Sequence, residues 1–145
     1  NAATWASDGA LWIVGDKGKV LRSVGGAKPT TVTTALGENL HAVAADGDGD
    51  GILAVGDNGT ILRVTPDAAE RLHEAPGLFL YGVSASADAV FAVGWNGTIL
   101  KDAGDDTFVA ERTGTKAVLQ AIWHDAGGAL AGGKNGALLY RVEAP

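Results

Sequence analysis

The residues whose types and spacing point most sharply at chemistry are Asp46-Gly47-Asp48-Gly49-Asp50-Gly51. Alternating aspartates on a glycine-rich loop can aim three carboxylates at one point, and Ca²⁺ takes about six to eight hard oxygen ligands of that kind. Asp46, Asp48 and Asp50 are therefore the candidate calcium ligands, set against a plain solvated acidic hairpin. The three histidines, His41, His73 and His124, include no pair at metal-binding spacing. No serine occupies a strand-to-helix elbow with a base placed for it, so nucleophilic catalysis has no signature. Gly15-Asp16-Lys17-Gly18-Lys19 lacks the spacing and the following helix of a phosphate loop. Nothing marks two of the 17 acidic residues as the carboxylate pair of a glycosidase. Without cysteine, neither disulfides nor zinc–thiolate sites are available.

The elements that must position these residues repeat. Ala54-Val55-Gly56-Asp57-Asn58-Gly59-Thr60-Ile61-Leu62-Arg63 has copies at 13–22, 92–101 and 131–140. Their first glycines, Gly15, Gly56, Gly94 and Gly133, lie 41, 38 and 39 residues apart. A near-constant step of this size is the mark of a repeat architecture. In the second copy, Leu40–Ala45 reads as a first strand, Ile52–Gly56 as a second and Thr60–Val64 as a third. The polar segment Glu70–Glu74 reads as an outer fourth strand. Asn58-Gly59 supplies the positive φ angles of the hairpin between the second and third. The same turn geometry accounts for the two Asn-Gly-Thr sequons at Asn58 and Asn96.

Second strands such as Val90-Phe91-Ala92-Val93 are apolar at every position, which means burial on both faces. Outer strands such as Phe108-Val109-Ala110-Glu111-Arg112 are far more polar. A four-stranded unit of ~39 residues with this gradient is a propeller blade. The expected fold is thus an all-β propeller of four blades, about 1–39, 40–79, 80–118 and 119–145, in one domain. Small residues (Ala42, Gly82, Ala121) fall in the inner strands, where blades crowd. The fourth blade stops after its third strand. A partial propeller, either a fragment or a half-ring completed by a second copy or by another chain, is favoured over a self-contained four-bladed ring. The chain opens on Asn1 and contains no methionine, so it is either a processed chain or a piece of a longer one.

A net charge of −6 with only 11 scattered basic residues argues against nucleic acid as a partner. Hydrophobic residues make up 46% of the chain, yet no apolar run approaches the ~20 residues of a membrane span. Composition suggests a bacterial, exported protein: secreted, periplasmic or at the cell surface.

The motif Ala-Val-Gly-x-Asn-Gly-Thr-Ile-Leu, at 54–62 and 92–100, resembles the repeats of photosystem II assembly-factor-like propellers, of the wider BNR and WD40-like group. The resemblance spans all four copies and implies a propeller that docks other proteins. The fourth copy departs from it at Gly132, Ala137 and Leu138. The aspartate loop in turn resembles the calcium loops in blade hairpins of integrin-type repeats, except that the last aspartate of that pattern falls on Ala54.

Positions that vary within an otherwise constant repeat are free to specialise. Asp16, Asp57, Trp95 and Lys134 share one such turn position and are the expected partner-binding residues, with Trp95 as the recognition anchor. Trp5 and Trp123 are assigned to one repeat position on the first strand, where the other copies carry Ala44 and Ser84. Trp12 reads as core between blades. The reading is a non-catalytic propeller that binds a protein partner through one face. The alternative is a lectin-like sugar binder that stacks carbohydrate on Trp95, Trp5 or Trp123, with a glycan-processing enzyme behind it. No cofactor is required beyond the possible calcium ion.

Overall fold

A computed structural model describes residues 1–47 and 49–142. These form four antiparallel sheets, each ordered as the chain runs. The first contains β1 (Ala2–Trp5), β2 (Leu11–Val14), β3 (Val20–Ser23) and β4 (Thr30–Val32). The second contains β5 (Leu40–Ala45), β6 (Ile52–Gly56), β7 (Ile61–Val64) and β8 (Ala69–His73). The third contains β9 (Leu80–Ala85), β10 (Val90–Gly94), β11 (Ile99–Asp102) and β12 (Phe108–Glu111). The fourth has three strands, β13 (Leu119–Asp125), β14 (Gly128–Gly133) and β15 (Leu138–Val142). The expected all-β class and the incomplete fourth blade are both met. Among the described residues, no helix is long and apolar enough to cross a membrane.

Sheets whose two faces are both apolar must be covered twice, and stacking them side by side does this. β1 packs on β5, β5 on β9 and β9 on β13, with no comparable packing of β13 back onto β1 among the described residues. Trp12, Val14 and Val20 of the first sheet meet Leu40, Ile52, Ala54 and Leu62 of the second. The opposite face of that second sheet, Leu53, Val55 and Ile61, meets Leu80, Val90, Ala92 and Leu100 of the third. Every residue of β6 and β10 is buried, as an unbroken apolar run requires. The third interface is thinner, with Val93, Leu119 and Ala131 as its buried core.

In three of its four copies the first glycine of the motif has a steric cause, while a Cβ on Gly15 would meet nothing within 4 Å. A Cβ on Gly56, Gly94 or Gly133 would lie about 2 Å from the carbonyl oxygen of Asn39, Phe79 or Val118, respectively. Only glycine lets the first strand enter so close to the end of the second. Small inner-strand residues behave as expected at Gly82, where an added Cβ would meet the Gln120 carbonyl at 3.0 Å. Ala121 is instead exposed, because it lies on the uncovered face of the fourth sheet.

Candidate functional site

Antiparallel order brings the turn between second and third strands and the start of the first strand to one end of every blade. Each turn is built alike. Lys17, Asn58, Asn96 and Asn135 have φ of 55° to 58°, and the glycine after each is also left-handed. The residue before this pair is the variable position. Asp16, Trp95 and Lys134 open short 3₁₀ turns, and Asp57 stands at the same place in the second blade. The structure therefore brings the four sequence-predicted residues to one end of the molecule.

Their environments differ. Asp57 is held within its own chain: Asn39 Nδ2 donates to Oδ2 at 3.0 Å, and His41 Nε2 lies 2.6 Å from Oδ1. Asp16 accepts from Asn1 Nδ2 at 2.7 Å. Trp95 is 52% exposed, and Lys134 is exposed as well. An aromatic plane and a cation are thus presented to solvent, beside two carboxylates whose oxygens are already engaged by amide and imidazole groups.

A second set of variable side chains stands at the same end. Leu40 pairs with Gly56 and Ala42 with Val55, leaving His41 as the extra residue of a β-bulge. Tyr81 and Gln120 take the same place in the third and fourth blades. Bulges re-aim side chains and recur beside functional sites. The His41 and Tyr81 rings touch across the blade boundary, with centroids 5.3 Å apart. Sequence reasoning passed over these residues. The signal was a variable residue between a leucine and a small residue in Leu40-His41-Ala42, Leu80-Tyr81-Gly82 and Leu119-Gln120-Ala121.

The aspartate loop lies at the other end. Asp46 Oδ2 accepts from Arg63 Nε at 2.9 Å, and Arg63 reaches on to Asp106 of the next blade through two bonds of 2.7 and 2.8 Å. Hydrogen bonding to Arg63 holds the Asp106 carboxyl below the usual aspartate range, and the two carboxylates together raise the Arg63 guanidinium. The first blade repeats the device, with Asp8 of its hairpin paired to Arg22 of its third strand. Asp46 thus has a structural partner that the sequence motif did not reveal. Asp50 is exposed, and Asp48 lies outside the described residues. Among the described residues no group of three or more acidic or histidine side chains is arranged to hold a metal ion.

Between the third and fourth blades, residues 38 and 40 positions apart converge. His124 Nδ1 lies 2.8 Å from Ser84 Oγ, and Nε2 lies 3.0 Å from Ser86 Oγ. Ser86 and His124 border a cavity of about 450 Å³ that Lys101, Asp88 and Asp125 also line. A neutral imidazole donates from one nitrogen and accepts at the other, so one of these serines can give its proton toward the ring. That contact is the elementary unit of nucleophilic catalysis. Its distance in sequence hid it.

No family model and no curated protein matches this sequence. Solved structures do match. A catalytically inactive histidine-to-alanine variant of virginiamycin B lyase from Staphylococcus aureus, with quinupristin, superposes with a TM-score of 0.70 at 16% identity. YCF48 from Cyanidioschyzon merolae superposes with a TM-score of 0.74 at 18% identity. The matches cover 99% and 97% of this chain. The chain is a β-propeller. It spans about half of each matched structure, 55% of the lyase and 49% of YCF48. The resemblance to photosystem II assembly-factor-like propellers holds at the level of fold. The expectation of a non-catalytic module is corrected, because one matched propeller is a lyase. A propeller without a recognisable catalytic signature in its sequence is not thereby excluded from catalysis, since function resides in sites grafted on the fold.

Proposed function

We propose that this propeller is a binding module that recognises a protein partner through the end carrying its second-to-third-strand turns. The observation that supports it is the double set of variable side chains on one repeated frame. Each of the last three blades offers one residue from a turn (Asp57, Trp95, Lys134) and one from a bulge (His41, Tyr81, Gln120). The first blade adds Asp16. Trp95 is the anchor, since an exposed indole offers a large rigid contact area and one donor. Lys134 supplies charge at the rim of the same end.

The test is affinity capture with the wild-type chain, with Trp95→Ala, and with Asp67→Asn, which changes the opposite end. A protein retained by wild type and Asp67→Asn but lost with Trp95→Ala supports the reading. Equal retention by all three overturns the site, and a glycan-array signal without a protein ligand overturns the partner class in favour of the carbohydrate reading.

A further inference from the structure

We infer that Ser86 and His124 form a hydrolytic site for small carboxylic esters, in the cleft between the third and fourth blades. The cleft lies at the hairpin end, opposite the turns that carry Trp95. It begins with a departure from the repeat. By strand pairing, Ser84 stands where Ala44 stands in the second blade, and His124 stands where Ala85 stands in the third. The second and third blades, with alanine at both places, join through an apolar core around Leu53 and Val90. The third and fourth carry a hydroxyl and an imidazole there, which the joining of blades does not require. Such variation on a fixed frame is free to specialise.

The geometry gives the two serines different parts. Ser86 is exposed and borders the cavity of about 450 Å³, whereas Ser84 is half-buried. Ser86 Oγ, 3.0 Å from His124 Nε2, is therefore the nucleophile that a substrate reaches. The Ala89 N–H donates to the same oxygen at 3.2 Å and holds it in its turn. Nδ1 then carries the ring proton and donates it to Ser84 Oγ at 2.8 Å, so Ser84 is a positioning residue that sets the tautomer. The Phe91 ring packs on the imidazole, with centroids 5.1 Å apart. A nucleophile, a base and an orienting group within hydrogen-bond reach are the arrangement of an activated serine.

Lys101 lines the same cavity and brings positive charge toward an oxyanion, while Ala89, Phe91 and Ala126 give it an apolar wall for a short acyl chain. Ser86 Oγ passes its proton to Nε2 as it bonds to the ester carbonyl carbon, and the carbonyl π electrons move onto oxygen. Collapse of that oxyanion breaks the bond to the alcohol, which leaves with the proton from Nε2. Water then gives one proton to Nε2 and bonds to the acyl carbon. The bond to Ser86 breaks, Oγ takes the proton back, and the carboxylic acid departs. Ser84 carries no charge to stabilise the imidazolium, as a carboxylate would, so esters fit this site better than amides.

The experiment uses the 145-residue chain and p-nitrophenyl acetate. Wild type should release nitrophenolate in a stoichiometric burst followed by a slower steady rate. Ser86→Ala should abolish the burst, and His124→Gln should lower the rate by about 100-fold or more. Ser84→Ala should lower kcat by about tenfold with KM unchanged, and Ser84→Thr, which keeps the hydroxyl, should restore it. A fluorophosphonate should label wild type on Ser86, located by mass spectrometry of a digest, a readout that needs no variant to fold. Hydrolysis retained by Ser86→Ala, or label on another residue, overturns the proposal. So does a wild-type rate no higher than that of free imidazole at the same concentration.

Discussion

Ile61 and Leu138 occupy the same position of the same repeat, yet one is wholly buried and the other is 70% exposed. Leu53 and Leu130 show the same contrast in a milder form. At these two positions the residues are alike in the central and terminal blades, and the strands form in both. What differs is whether another sheet lies against the face. Burial in this molecule is a property of a blade's place in the stack, and local pattern alone does not fix it. The third interface sits between these limits: Ala129 and Ala131 stand where Ile52 and Ala54 stand in the second blade. A cavity of about 500 Å³ opens there beside the Glu111–Arg141 ion pair.

The largest effect should come from placing one charge at both positions. Ile61→Asp buries a carboxylate without a partner between two blades, and should cost at least about 4 kcal/mol or abolish folding. Leu138→Asp should change the stability of the single chain by no more than about 0.5 kcal/mol. Urea midpoints read both, and equal losses would break the comparison. Next, Leu53→Ala should cost about 2–5 kcal/mol, and Leu130→Ala distinctly less.

The turns give a finer test. Gly97 and Gly136 share a left-handed φ of 71° and 72°, so alanine strains both by about 1–2 kcal/mol. At Gly97 the new Cβ would also lie 2.0 Å from the Thr115 carbonyl oxygen, whereas at Gly136 nothing lies within 4 Å. Gly97→Ala should therefore lower the unfolding midpoint more than Gly136→Ala. A reversed order would mean that the outer segment of the third blade does not close over its turn.

A smaller, pH-dependent effect is expected at the blade-bridging arginine. Asp106 is held below its ordinary 3.8 by Arg63. A depressed folded pKa stabilises above the unfolded pKa, and that contribution is lost as pH falls through the folded value. Unfolding midpoints measured from about pH 5 downward should fall less steeply for Arg63→Ala than for wild type. The smallest expected effect concerns calcium. Asp46→Asn should lower stability by about 1 kcal/mol or less through its arginine contact, equally with calcium or a chelator. A loss seen only with calcium would identify the loop as an ion site.

Repetition made much of this fold legible. Four copies of Gly-x-x-Gly between apolar segments locate every second and third strand, and β5 and β6 fall where their residues predict. The variable turn residues were legible for the same reason. Other features depend on partners distant in sequence. The Ser84–Ser86–His124 cluster joins two blades, and the Arg63 bridge ties a hairpin to a later loop. Trp5 pairs with Leu11 and Trp123 with Leu130, rows filled in the second blade by Ala45 with Ile52 and by Ala44 with Leu53. The two tryptophans are therefore not at one repeat position but one residue out of step and on opposite faces, which alignment of the repeats by composition cannot resolve.

Oxidative footprinting of the four tryptophans would test the central claim, that recognition uses the turn-bearing end and not the blade faces. When a captured protein partner is added, Trp95 should become protected while Trp5 and Trp123 stay reactive and Trp12, fully buried, stays protected throughout. Protection of Trp5 or Trp123 with Trp95 left reactive would contradict the account, because the partner would then sit on a blade face and not on the turn-bearing end.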